Sequence, residues 1–204
     1  YPFTAASTFN GAVSITATDR ADNASTIVFT VVRDATPPVA QVAQAPQYTN
    51  AAPIGVEWAA TDDASGVRST ALWVRFEGGA WQESGLTAQP GVAGRFDFAP
   101  AQEGRYEFAV AGTDNVNNRE AVNGAEGATV YDVTPPTATL AALAPYQTTR
   151  TFAVAWSGVD PAPASGQPAG IASYDVQVSA DGGAWAVWRT DMPDVSATFA
   201  GEEG

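Results

Sequence analysis

The 204-residue chain sets nine basic residues, all Arg, against 22 Asp or Glu for a net charge of −13, and it has neither Cys nor His. That balance argues against nucleic acid, which needs a basic face to neutralise phosphates, and disfavours an anionic membrane surface; it suits solubility or divalent cations. Disulfide, thiolate, imidazole and zinc chemistry are excluded as well, while 45% hydrophobic residues suffice for packed cores.

In chain order, residues 11–18 alternate apolar and polar side chains and residues 26–32 are β-branched almost throughout. Both read as strands, joined by the turn cluster Asp19-Arg20-Ala21-Asp22-Asn23. Two strands alone cannot bury a core, so residues 1–36 are expected to be the C-terminal two strands of an incomplete domain. Next comes Asp34-Ala35-Thr36-Pro37-Pro38, which recurs as Asp132-Val133-Thr134-Pro135-Pro136, 98 residues further on. The spacing is close to the roughly 100 residues of one β-sandwich. Paired prolines give no N–H to a sheet and fix their own φ, so each copy is read as a stiff joint between colinear domains.

Residues 37–134 are expected to form a complete sandwich. Strands are predicted at 39–44, at 54–58 with Ile54, Val56 and Trp58 on one face, and at 68–76. Gly78-Gly79 then turns into a short strand carrying Trp81, followed by strands ending in 95–98, at 106–110 and at 128–133. Residues 135–204 repeat that order. Trp156 matches Trp58 at the same spacing; after an insertion around 161–166, Ile171 matches Val67 and Gly182-Gly183-Ala184-Trp185 matches Gly78-Gly79-Ala80-Trp81. The chain stops at Glu203-Gly204, the counterpart of Glu103-Gly104, so the third domain is expected to lack its last two strands. Two readings of the broken ends stay open: a segment of a longer array, or head-to-tail completion of one chain's third domain by the first strands of the next.

Catalysis finds little purchase. Serine-type chemistry needs a base, most often His. The adjacent pairs Asp62-Asp63 and Glu202-Glu203 do not face one another across a substrate as glycosidase carboxylates do. No Gly-rich phosphate loop follows a strand and opens a helix. The expectation is a non-enzyme. Trp58, Trp156, Tyr106, Phe108, Phe152 and Tyr174 fall on core registers, and Trp81, Trp185 and Trp188 are read as covering a sheet edge. Trp73 stands between Leu72 and Val74, so the pleat aims it at the opposite face; with Arg75 it is a candidate contact surface, beside the plain reading of an incidental surface Trp.

Trp58 and Trp156, Ser173-Tyr174-Asp175-Val176-Gln177-Val178 and Gly104-Arg105-Tyr106-Glu107-Phe108 resemble fibronectin type III domains. With the D-x-T-P-P joint, the S-G-V or A-G-I loop, the G-G-x-W hairpin and the D-x-x-x-N turn, nearly the whole chain resembles bacterial Ig-like repeats. Thr70 departs from the pattern where a tyrosine is usual, and Asn115-Val116-Asn117-Asn118 replaces a small-Gly-Asn turn. The resemblance implies an all-β tandem of antiparallel Ig-like or fibronectin type III-like sandwiches in a secreted or cell-surface bacterial protein. Its implied role is a structural spacer or adhesion segment; the alternative is a carbohydrate- or protein-binding module of a secreted enzyme. The implied partners are neighbouring Ig-like domains, a surface protein or a glycan.

In such a sandwich the joint, the loop 61–66 and the turn 114–118 meet at one pole. Asp34, Asp62, Asp63, Asp114, Asn115 and Asn117 then gather as hard oxygen ligands, a set that suits calcium, with Asp132 and Asp160 as a poorer second set. The competing reading is that these Asp and Asn residues close turns through side-chain to backbone bonds.

Overall fold

The computed structural model describes residues 10–88, 90–163 and 166–201. Glu202, Glu203 and Gly204, and Ala164-Ser165 of the insertion, lie outside them. The protein is all-β, and no helix long and apolar enough to cross a membrane occurs among the described residues. It divides into two compact units, one of residues 1–46, 53–99 and 107–128, the other of residues 47–52, 100–106 and 129–204.

The first unit opens with the hairpin of β1 (Gly11–Thr18) and β2 (Ala24–Val31), antiparallel in register Val13↔Phe29 and Ile15↔Ile27. Next come β3 (Val39–Gln44), β5 (Ile54–Thr61) and β8 (Ala93–Phe98), which form a three-stranded antiparallel sheet in the order β3-β5-β8. β6 (Val67–Phe76), β7 (Gln82–Ala88) and β9 (Gly104–Asp114) belong to a five-stranded sheet with β4 (Tyr48–Thr49) and β10 (Gly127–Tyr131), in the order β4-β10-β9-β6-β7. Strict alternation in β5 buries Ile54, Val56, Trp58 and Ala60 and leaves Glu57 out. Leu72 and Thr70 from β6 and Phe108 and Val110 from β9 complete a core in which each is 2% exposed or less. Phe98 meets Phe108 edge-to-face at 5.5 Å, and Trp58 stacks on Phe96 at 5.8 Å.

Two glutamates close the first unit in a way the sequence pattern hides. Glu120 Oε2 accepts from Ala40 N (2.9 Å) on β3 and from Gly112 N (3.2 Å) on β9. Glu126 Oε2 does the same for Val42 N (2.9 Å) and Val110 N (3.1 Å). Each carboxylate bridges one amide of β3 and one of β9, strands of different sheets that no backbone ladder joins.

In the second unit, the two-residue β4 (Tyr48–Thr49) pairs in parallel with β10 (Gly127–Tyr131). β4 was not expected, because two residues carry no periodicity. β11 (Thr137–Leu140), β12 (Thr151–Val159) and β15 (Ser196–Ala200) form a sheet in the order β11-β12-β15, and β13 (Tyr174–Val178) pairs with β14 (Ala186–Met192). The register Val39↔Thr61 and Ala40↔Ala60 of β3 and β5 returns 98 residues on as Thr137↔Val159 and Ala138↔Gly158. Packing does not return with it. Phe152 and Tyr174, expected in the core, are only half-buried, and Trp185, expected to cover a sheet edge, is 70% exposed. No third layer of strands covers β13 among the described residues.

Candidate functional site

The expected gathering of acid loops occurs in the first unit. Asp34 follows β2, Asp62 follows β5 and Asp114 ends β9; one carboxylate oxygen from each lies within 4.8 Å of the others. Each aspartate also shapes its own turn. Asp34 Oδ1 accepts from Thr36 N (3.1 Å), and its Oδ2 from Ser65 N (3.0 Å). Asp62 Oδ2 accepts from Ala64 N (3.2 Å) and Gly66 N (2.6 Å). Asp114, wholly buried, accepts from Val116 N (2.9 Å) and Asn118 N (2.7 Å) at Oδ1 and from Asn118 Nδ2 (2.7 Å) at Oδ2. These bonds are the Asx pattern that favours Asp in turns.

The other expected ligands lie around the triad, engaged in protein bonds. Asp63 is exposed, and its Oδ1 accepts the Thr36 hydroxyl at 3.0 Å. Asn115 donates Nδ2 to the carbonyls of Ser65 (2.8 Å) and Gly66 (3.1 Å). Asn117 sits at φ +76°, a left-handed conformation that Asn tolerates better than most residues, and its Oδ1 accepts from Arg68 Nη1. Asn118 was not singled out as a site residue, yet it ties Asp114 to the joint by donating also to Thr36 O (3.4 Å); the D-x-x-x-N pattern was its signal.

Asp34 is made more acidic by its surroundings. Its carboxyl is held down at about 2 by the Ser65 hydroxyl first and the Thr36 amide next, against an opposing effect of burial. The donors within hydrogen-bond reach of Asp34 are the amides of Ser65 (3.0 Å) and Thr36 (3.1 Å) and the Thr36 hydroxyl (3.3 Å), whereas Ser65 Oγ is buried without a partner. Asp62 Oδ1 is also buried and unpartnered. An all-oxygen cluster with one oxygen left over matches what a hard cation takes.

The joint-to-loop lock is built twice. Asp132 Oδ1 accepts from Thr134 N (3.0 Å) and its Oδ2 from Ala169 N (2.7 Å), as Asp34 does from Thr36 and Ser65. Asp160 Oδ2 accepts from Gly170 N (2.6 Å) and leaves Oδ1 buried and unpartnered, as Asp62 does. No third acid joins Asp132 and Asp160 among the described residues. The Asp114 turn is also duplicated. Asp19 Oδ1 accepts from Ala21 N (2.8 Å) and Asn23 N (2.9 Å), its Oδ2 accepts from Asn23 Nδ2 (2.9 Å), and Asp22 stands at φ +65°.

Trp73 and Arg75 are half-buried and engaged. The Arg119 guanidinium lies 5.7 Å from the Trp73 ring and reaches Glu83 Oε1 at 3.4 Å. Arg75 Nε pairs with Glu107 Oε2 at 2.5 Å, and its guanidinium lies 4.9 Å from the Trp81 ring. The pair thus belongs to two cation-π stacks on the face of β6, not to an open aromatic platform. Compared with known protein families and with curated proteins, the chain matches none.

Proposed function

We propose that this chain is a non-catalytic segment of tandem Ig-like or fibronectin type III-like sandwiches, serving as an extracellular or cell-surface spacer or adhesion element. The observation that carries the reading is the lock at each D-x-T-P-P joint, where one carboxylate bonds both its own joint and the loop after the next strand pair. A joint bonded in this way is tied to the loop that follows it. The strand order of the two sheets supports the sandwich, as does Tyr106, whose hydroxyl donates to Gln102 O at 2.8 Å. That bond, from near the start of a strand back to the chain just before it, is the tyrosine corner of such folds. Neighbouring sandwiches are the partners this reading implies.

Small-angle X-ray scattering tests it. A spacer gives an extended particle, and Asp34→Ala with Asp132→Ala broadens its distance distribution; a compact, folded-back particle overturns the reading. The rival binding module requires an exposed aromatic platform, and Trp73 lying under Arg119 does not favour it.

Calcium is the second reading, favoured by Asp62 Oδ1, buried without a partner inside the acid triad. Calcium takes six to eight oxygens from carboxylates, carbonyls and water, and it would bind the joint into the metal's shell through Asp34. Calorimetric titration is expected to show heat of binding and a rise in melting temperature at millimolar calcium. Neither appearing leaves the aspartates as turn formers.

A further inference from the structure

Between the turn at Asp114 and β10, the chain of the first unit runs back alongside β9 without forming a strand. Arg119 bridges to Thr113, Glu120 N donates to Gly112 O (3.0 Å) and Glu126 N donates to Phe108 O (2.9 Å). The returning chain thus advances six residues, from Glu120 to Glu126, while β9 spans only the four from Gly112 to Phe108. The surplus has to arch away from the sheet. Both feet of the arch are held by the carboxylate bridges that Glu120 and Glu126 make to β3 and β9.

At the crown of the arch stand Asn123, exposed, and Gly124. Among the described residues, neither the Asn123 carboxamide nor the Gly124 N–H has a hydrogen-bond partner. The other asparagines are tied down. Asn23, Asn115 and Asn118 donate through Nδ2, and Asn117 Oδ1 accepts from Arg68; the residues that follow them are Ala24, Val116, Arg119 and Asn118. Asn50 precedes Ala51, whose N–H donates to Thr49 Oγ1 at 3.0 Å. The second Asn-Gly pair, Asn10-Gly11, has its glycine in the β1–β2 ladder opposite Val31.

We propose that Asn123-Gly124 is a self-modification site, where the asparagine deamidates and thereby loosens the attachment of β3 to β9. The Gly124 nitrogen, once hydroxide has taken its proton, attacks Asn123 Cγ. The new C–N bond closes a cyclic imide as the bond to the side-chain nitrogen breaks and ammonia leaves. Water then opens the ring at either carbonyl, leaving an aspartyl or an isoaspartyl link. The balance is asparagine and water to aspartate and ammonia, with no redox change. Glycine suits the attack, since no Cβ shields its nitrogen and its backbone bends freely into the ring. The new carboxylate stands in the same short arch as Glu120 and Glu126. Burial and the charge of Glu120 already push the Glu126 carboxyl up, and a third negative charge adds to that repulsion. An isoaspartyl link also adds a carbon to the main chain between the two anchors. Both changes weaken the grip of the glutamates on the Ala40 and Val42 amides of β3.

Incubating the full chain in mildly alkaline buffer and then cleaving it after arginine tests this by mass spectrometry. Residues 120–150 emerge as one peptide whose only asparagine is Asn123. That peptide is expected to gain the mass difference between an amide and an acid, in two forms that separate chromatographically. Gly124→Ala is the control. The added methyl meets no atom within 4 Å and φ there is not left-handed, so the variant keeps the fold and is expected to lose most of the gain. Aged wild type is expected to melt a few degrees below fresh protein in its first unit, whereas aged Gly124→Ala melts with its fresh counterpart. A peptide that keeps its mass, a gain undiminished in Gly124→Ala, or a full gain with no fall in melting temperature each overturns the proposal.

Discussion

At the scale of single residues, Asp34 and Glu126 pull stability in opposite directions as pH falls. Asp34 titrates at about 2 against an ordinary 3.8, so its ionised pairing stabilises fully above roughly pH 4 and is lost as acid approaches 2. Burial pushes Glu126 upward, with the charge of Glu120 adding to it, while the amides of Val42 and Val110 pull it back. The cost of ionising Glu126 is therefore relieved as pH falls. Thermal melts from pH 6 to 2 are expected to show a shallower decline below pH 4 for Asp34→Asn than for wild type. Glu126→Gln is expected to steepen the early part of the curve, since the relief it removes comes first. Glu120 gives a counterpart in hydrogen bonding. Its removal strands the amides of Ala40, 2% exposed, and of Gly112, so Glu120→Ala is expected to cost roughly 1–3 kcal/mol in urea unfolding. None of this was legible in the sequence, because Glu120 and Glu126 reach β3 across 80 and 84 positions and leave no local pattern. The aspartates were legible for the opposite reason: Asp34, Asp62 and Asp114 each make a bond that runs two to four residues, and turn chemistry repeats wherever the turn does.

Among elements, the twin turns at Asp19 and Asp114 separate geometry from burial. Both make the same three side-chain bonds, but Asp114 is wholly buried whereas Asp19 is exposed. Water replaces a lost acceptor at an exposed turn and cannot at a buried one. Asp114→Ala is thus expected to lower the melting temperature of the first unit sharply, and Asp19→Ala to leave it within about a degree or two, as for a substitution worth a few tenths of a kcal/mol. Equal losses would show that the bonds, not their burial, set the cost. Strand positions were legible because alternation reports a half-buried sheet directly: residues 11–18 and 39–44 became β1 and β3 without change. Longer strands outran their sequence patterns. β9 extends to Asp114 because both of its faces are covered, and Glu107, buried among apolar neighbours, pairs with Arg75. Trp81 falls just before β7 for want of a partner, as the ladder opposite β6 starts at Gln82.

Across the whole molecule, the two units differ in how much they bury. The first holds Ile54, Val56, Leu72, Phe108 and Val110 at 2% exposure or less; in residues 135–201 the only hydrophobic side chains below a tenth exposed, among those described, are Val154 at 8% and Trp156 at 7%. Burial of a large apolar side chain contributes about 1.5–3 kcal/mol, so a core of two such residues is marginal against the entropy of ordering its strands. Sequence could not reveal this, because the repeat copies the strand pattern and register of residues 37–134 without copying their burial. Scanning calorimetry is therefore expected to resolve two transitions, the second unit melting first. Trp156→Ala should depress the lower transition alone and Val56→Ala the upper, each by several degrees, since large-to-small core changes cost about 1–5 kcal/mol.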